Sequence, residues 1–341
     1  MKKISLFSIL FLLSIGELFA QTDKQAMMKK MADSMRMVYL DAAAIQYPVL
    51  RQAFISTDIM GGGDVTGKLN GNDLFKAKLQ LSRIKANFNL PIAQWGKNNL
   101  TASMGYLLQH TDISQVTSYN PQIPVSNSDV NTTTITFAAS FTRVDSLFHH
   151  QVIYSANITG LTNELSTIRR VNEIAGINVP FKRTATSAFS VGLYYINDPT
   201  IPTHIIPFIT YWHLFQTENI QLLADLPYRI LLKKQLSPKS WVSFGSELAG
   251  SESFLALNQP PLPHNSVSST LELKTGPAFE YLVNKKIILG VSGGMFSTLS
   301  SKVFEQGSSP SDYFIKGSNN TVPYVNFSIS FLPFLKALSN K

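Results

Sequence analysis

Along most of the chain, apolar and polar side chains alternate one for one. In TTTITFAASFTRVDSLFHHQVIYSANITG, Thr132 to Gly160, one face carries Ile135, Phe137, Ala139 and Phe141. Thr134, Thr136, Ser140 and Thr142 carry the other. After DSLFH the alternation resumes with Val152, Tyr154, Ala156 and Ile158. A period of two belongs to a strand, so the stretch predicts a hairpin, with His149 and His150 at its turn and at the start of the second strand. Alternation does not name the solvent: a soluble sandwich turns its apolar face inward, and a membrane barrel turns it outward.

The loop rhythm supplies the choice. Alternating runs predict twelve strands, at 47–60, 74–90, 98–112, 130–144, 150–163, 183–197, 202–216, 219–233, 239–254, 267–283, 286–299 and 321–333. Five gaps are short (91–97, 145–149, 198–201, 234–238, 284–285), and five intervening ones are long (61–73, 113–129, 164–182, 255–266, 300–320); 217–218 breaks the rule. Short turns at one end, long loops at the other, an even strand count and both termini at the short-turn end describe an antiparallel transmembrane β-barrel. Trp95, Phe148, Tyr195, Trp241, Tyr281 and Phe331 are expected near the short turns, Trp212 and Phe215 near the long loops, as interfacial girdles. In the second strand the apolar phase changes from Phe75, Ala77, Leu79 and Leu81 to Ile84, Ala86, Phe88 and Leu90, which predicts a bulge near Ser82–Arg83.

The opening MKKISLFSILFLLSIGELFA has a basic start, an apolar core from Ile4 to Ile15 and a small Ala20, so residues 1–20 read as an export signal. The longest mostly apolar run after it, IIPFITYWHLF (Ile205 to Phe215), is too short for a spanning helix. The chain has no cysteine, which excludes a disulfide scaffold and a lipid-anchored cysteine. Its net charge is +8, or +7 once Lys2, Lys3 and Glu17 leave with the signal. A basic exported barrel can meet anionic lipid or a small anion; no nucleic-acid module is present. The expected organisation is a signal at 1–20, a periplasmic segment at 21–46, the barrel at 47–334 and a tail at 335–341, in the outer membrane of a Gram-negative bacterium with the N-terminus periplasmic. Outer-membrane lipid and the barrel-assembly machinery are the partners such a protein implies.

The segments YPVLRQAFIS, a glycine-rich stretch, RIKANFNLPI and VPYVNFSISF follow one another in order. With the signal, this order resembles an uncharacterised family of outer-membrane barrels common in Bacteroidota, over roughly residues 47–333. The run YVNFSISF, ending at Phe331, also resembles the C-terminal assembly signal of such barrels. The resemblance implies location and architecture, with no activity attached.

Candidate chemistry lies in four places. Lys76, Lys78, Arg83 and Lys85 are expected to face the lumen from the second strand, where a basic ladder would favour anions. The alternative is an ion-paired, filled lumen, with Glu247, Glu272, Lys274 and Glu280 on other lumen faces. Met27, Met31 and Met35 fall at helical spacing and suggest a docking face for a periplasmic partner. Thioethers also suit Cu(I), but no neighbouring histidine or cysteine supports a metal site, and no cofactor is expected. His110, Asp112 and Ser114 have the residue types of a hydrolase without a nucleophile motif, while His204, His213 and His264 are isolated. The leading expectation is binding or passage of small solutes, anions among them. An accessory subunit of an envelope complex is the alternative, and an outer-leaflet lipid hydrolase the more distant one.

Overall fold

The computed structural model describes residues 31, 34–337 and 339–340. The signal at 1–20 and Met27 lie outside the described residues. The strands, in chain order, are β1 (Ala53–Leu69), β2 (Asn72–Trp95), β3 (Asn98–Ser118), β4 (Ser128–Leu147), β5 (His150–Thr162), β6 (Arg170–Arg183), β7 (Ser187–Asn197) and β8 (Ile205–Phe215). They continue with β9 (Ile220–Leu226), β10 (Arg229–Ser237), β11 (Ser240–Ala256), β12 (Asn265–Leu282), β13 (Ile287–Glu305), β14 (Ile315–Asn319), β15 (Val322–Phe331) and the two-residue β16 (Ser339–Asn340).

Each strand from β1 to β13 pairs antiparallel with the next, and β15 closes the ring between β13 and β1. The fold is an antiparallel transmembrane β-barrel of fifteen strands. Short β14 also lies between β13 and β1, beyond β15, so the two fill one of fourteen places. Strand pairing closes the ring, as a backbone in hydrocarbon requires.

The ring has two more places than the twelve strands expected. One is β6, whose inner face carries Asn172, Gly176, Asn178 and Pro180, residues that read as a loop. The other comes from 219–233, which Pro227 and Tyr228 divide into β9 and β10. At the opposite extreme, the expected loop 61–73 is mostly strand. Gly63 stands where a Cβ would run into Val322 Cγ1, so it permits close packing rather than ending the strand. The turn is only Asn70–Gly71, with φ of 48° and 89°, a primed hairpin turn. Phe148 and His149, at φ 49° and 65°, turn β4 into β5 in the same way, and His150 begins β5.

All connections at the end where β1 begins and β15 ends are short: 96–97, 148–149, 184–186, 216–219, 238–239 and 283–286. At the other end, five of seven are longer: 119–127, 163–169, 198–204, 257–264 and 306–314. The asymmetry is thus as the loop rhythm predicts, but the two added strands reverse the middle of the chain. Tyr195 lies toward the long loops, and Trp212 and Phe215 toward the short turns. Trp241 is buried on the inner face and belongs to no outer girdle.

The apolar face points outward. Ile55, Ile59, Met104, Phe137, Ile158, Ile177, Leu193, Phe244 and Phe327 are exposed, while Asp58, Arg83, Thr134 and Glu272 are buried. The opening alternation is therefore written for lipid. Phe137 sits at mid-strand in β4. Phe137→Arg is expected to cost ~2–4 kcal/mol of folding free energy, read as a lowered unfolding midpoint in lipid vesicles. Among the described residues no helix is long and apolar enough to cross a membrane.

The bulge expected near Ser82–Arg83 is absent. Pairing of β2 with β1 and β3 runs without a shift through Leu81–Phe88, so Ala77, Leu79, Leu81, Arg83 and Lys85 share the inner face. The change of pattern marks the strand leaving the lipid. Below Ser82 in the bilayer, apolar side chains face out; above it, lysines face water and apolar residues face in.

The described residues up to Arg51, with 332–334, form a separate compact unit. In it a helix covers 34–46, followed by a 3-10 turn at Pro48–Leu50. Arg51 Nε donates to the Ala44 carbonyl at 3.2 Å. Met31 and Met35 are exposed, as are Val38 and Tyr39.

Candidate functional site: the barrel lumen

Alternation turns one polar side chain in two toward the lumen, and β2 and β12 supply the strongest pair. Arg83 donates through Nη1 and Nη2 to the two carboxylate oxygens of Glu272, each at 2.6 Å. β1, β15 and β13 intervene between these strands, so the fork spans part of the lumen. Arg83 Nε donates to Gln109 Oε1 at 2.7 Å, and Thr270 Oγ1 donates to Glu272 Oε1 at 2.8 Å. Both charged side chains are 2% exposed. Beside them, Asp58 Oδ1 accepts from Lys274 Nζ at 2.7 Å and from Asn326 Nδ2 at 2.8 Å, while Lys85 Nζ lies 3.5 Å from Oδ2. Lys274 also sits 5.3 Å from the Tyr324 ring centroid.

Further round the ring, Lys233 Nζ donates to Glu280 at 3.0 Å over the Trp241 ring, and Arg229 Nε donates to Asp225 at 3.1 Å. Glu247 is opposite Lys274 in register and is exposed. Among the described residues, the lumen cations Arg83, Lys85, Lys274, Lys233 and Arg229 thus face the acids Asp58, Glu272, Glu280, Asp225 and Glu247, and Arg170 of β6 lies 3.5 Å from Glu252. Paired charges at this density hold the wall together and leave no net basic ladder.

Lys76 and Lys78 are not part of this set. They share the side of β2 that bears Ile84 and Phe88, and both are exposed. Lys78 Nζ pairs with Asp64 at 2.9 Å on the neighbouring strand. The four lysine and arginine positions do not form one face because the strand continues unbroken where a bulge was expected.

At the loop end of the lumen, opposite walls of the barrel meet. β10 stops pairing with β11 at Arg229–Glu247, so β11 has no β10 partner above that point. Glu252 and Phe254 lie on the side of β11 that is lipid-exposed at Phe244, yet both are buried. The upper segment turns inward and meets β4, seven places away in the ring of fourteen. Thr134 Oγ1 donates to the Glu252 carbonyl at 2.9 Å, and Thr132 Oγ1 lies 3.4 Å from Ser253 Oγ. Asn172 Nδ2 on β6 donates to Glu252 Oε1 at 2.6 Å. Leu161 of β5 packs with Phe254, Val267 and Phe304, and Tyr313 covers the cluster. Arg169 lies over Phe254 and Arg170 over Phe304, at 5.9 and 5.4 Å. A second apolar group, Met60, Leu81, Phe296, Val322 and Tyr324, fills the inner face between β2 and β13. Sequence reasoning missed this closure, although the serine-rich run SESF (Ser251 to Phe254) was its trace.

The hydrolase candidates are not assembled. His110 Nδ1 is 3.1 Å from Asn131 Oδ1 and 3.2 Å from Asp129 Oδ1, both on β4. Ser114 is four residues further along the same strand, roughly 13 Å at 3.3 Å per residue. Among the described residues, no group of three histidine or acidic side chains has the spacing of a metal site.

No protein-family model and no curated protein matches the chain. Solved structures with a similar course include an outer-membrane channel from Pseudomonas putida F1, at 9% identity and TM-score 0.32, covering 82% of this chain and 96% of that one. The translocator domain of the autotransporter NalP from Neisseria meningitidis matches at 10% identity and TM-score 0.25, covering 89% and 97%. The outer-membrane protease OmpT from Escherichia coli matches at 8% identity and TM-score 0.24, covering 82% and 97%. Likenesses of this degree carry no argument about activity; the barrel itself rests on the pairing of this chain's own strands and on its apolar outer wall.

Proposed function

We propose that this chain is an outer-membrane barrel, with its short turns toward the periplasm and its long loops outside, that keeps its lumen shut and admits small solutes only when the β11–β12 segment moves. The carrying observation is the hydrogen bond from Thr134 to the Glu252 carbonyl, made between opposite places of the ring. The balance of paired lumen charges favours neither sign of solute, so a standing anion pore is not the reading adopted. In planar bilayers the purified protein is expected to give no steady current. A constant conductance selective for anions would overturn the reading.

A second reading is favoured by the exposed apolar side chains of Met31 and of Met35, Val38 and Tyr39 on the helix at 34–46. In it the barrel anchors an accessory subunit, and the stripe docks a periplasmic partner through adaptable thioether and aromatic contacts. Deletion of residues 22–46 then releases that partner while the barrel still folds; retention of every co-purifying protein removes this reading.

A further inference from the structure

With the long-loop end upward, the wall of the barrel is not equally tall all round. β8 has eleven residues, and a strand of that length tilted by about 40° rises roughly 25 Å, the height of an apolar band. β9 has seven and starts level with Phe215, so the β9–β10 hairpin rises only about 15 Å. Pairing of β8 with β9 stops at Ile209, and pairing of β10 with β11 stops at Glu247. A notch roughly 10 Å tall is therefore left in the wall between β8 and β11. Its floor is the turn at Pro227 and Tyr228, flanked by exposed Leu226 and Ile230. Turns that face water favour Gly, Asn and Asp, whereas this one is apolar. Tyr195 of β7 and Ile205 of β8, opposite one another and both exposed, stand at the height of its upper edge. A tyrosine belongs where hydrocarbon gives way to headgroups, so the notch lies at lipid height.

The connection from β7 to β8 covers this notch. Thr200 is buried, and its backbone N–H and Oγ1 donate to Asp198 Oδ1 at 2.8 and 2.6 Å. A Cβ on Gly250 would run into the Thr200 side chain, so the loop rests on the upper segment of β11. A cover seated by side-chain contact parts with fewer hydrogen bonds lost than a strand ladder does. Inside, three aromatic rings lead from the β7 wall to the notch floor. Tyr194 meets Phe208 edge to face with centroids 5.5 Å apart, and Phe208 lies 6.0 Å from Tyr228. Tyr194 and Phe208 share their strand faces with buried Ile196 and Ile206, while Leu193 and Ile209 beside them are exposed on the lipid face. A solute leaving through the notch enters hydrocarbon directly, where a polar or charged one loses its hydration without replacement.

Resting on the closed-lumen reading above, we infer that the notch between β8 and β11 is a lateral portal for small apolar solutes. They pass through it between the lumen and the leaflet on the long-loop side. Movement of β11 opens it, because β11 forms one of its sides. Lipid vesicles holding the purified full chain are loaded with an apolar aryl diazirine and irradiated, and labelled residues are mapped by mass spectrometry. A water-soluble cationic diazirine of similar size serves as the parallel arm. Leu193 and Ile209 report contact with lipid; Tyr194 and Phe208, one residue away on the same strands, report entry into the lumen. The apolar probe is expected to label both pairs, and the water-soluble probe to leave Tyr194 and Phe208 unlabelled. Gly250→Val, which unseats the covering loop, is expected to raise apolar labelling of Tyr194 and Phe208 at least threefold, with heat-modifiable migration on gels retained. Apolar label confined to Leu193 and Ile209 in the unmodified chain and the variant overturns the portal and leaves the closed lumen standing. Label on Tyr194 and Phe208 from the water-soluble probe as well makes entry axial, which overturns the portal and the closed lumen together.

Discussion

Arg83→Ala, or Glu272→Ala, is expected to destabilise the barrel by ~3–5 kcal/mol. Either change leaves one charge dry and unpaired, since each side chain is 2% exposed and the two share two hydrogen bonds of 2.6 Å. Loss of Glu272 also strips an acceptor from Thr270, and loss of Arg83 one donor from Gln109. The double replacement Arg83→Met/Glu272→Leu is expected to recover most of the loss, because no buried charge remains. Denaturant midpoints in detergent micelles compare the three variants. Added salt is expected to leave the difference nearly unchanged, because a pair sealed from solvent is screened little. Equal small losses for all three would mean that water reaches the pair.

Phe304→Ala is the second large effect, at ~3–5 kcal/mol. Phe304 is fully buried against Val267, Phe254 and Leu161, and the Arg170 guanidinium lies 5.4 Å from its ring centroid. Truncation opens a cavity between two walls that do not otherwise pair, and the surroundings can collapse only by drawing β5 toward β13. The same variant is expected to give intermittent openings in planar bilayers where the unmodified protein is silent. A loss of stability without any current would mean that the lumen is filled below the closure as well.

The period of two and the alternation of short and long connections identified both the fold class and the solvent of the apolar face. Phe137 and Ile158 are exposed on the wall as the alternation of TTTITFAASF and QVIYSANITG requires. β6 escaped notice because inward-facing positions of a polar lumen tolerate Asn, Gly and Pro, the residues that elsewhere mark loops. A long hairpin that leaves the membrane reverses its own pattern, so Leu81 inward and Ile84 outward looked like a slip of phase. Ion pairing is a matter of which strands become neighbours across the lumen, and nothing local to Arg83 names Glu272, 189 residues away. The closure depends on strand heights around the whole ring, on β10 ending below β11, and no single segment encodes that.

The central claim is that opposite walls of the barrel meet inside it. The chain contains no cysteine, so a pair introduced at Thr132 and Ser253 meets no third thiol within its own chain. Their hydroxyl oxygens are 3.4 Å apart, on strands seven places apart in the ring of fourteen, and a disulfide needs Cβ atoms about 3.5–4.5 Å apart. In the folded protein in lipid, Thr132→Cys/Ser253→Cys is expected to oxidise to an intramolecular disulfide, seen as a mobility shift that reductant reverses. Two persistently free thiols, both open to a water-soluble maleimide under oxidising conditions, would contradict the closed lumen.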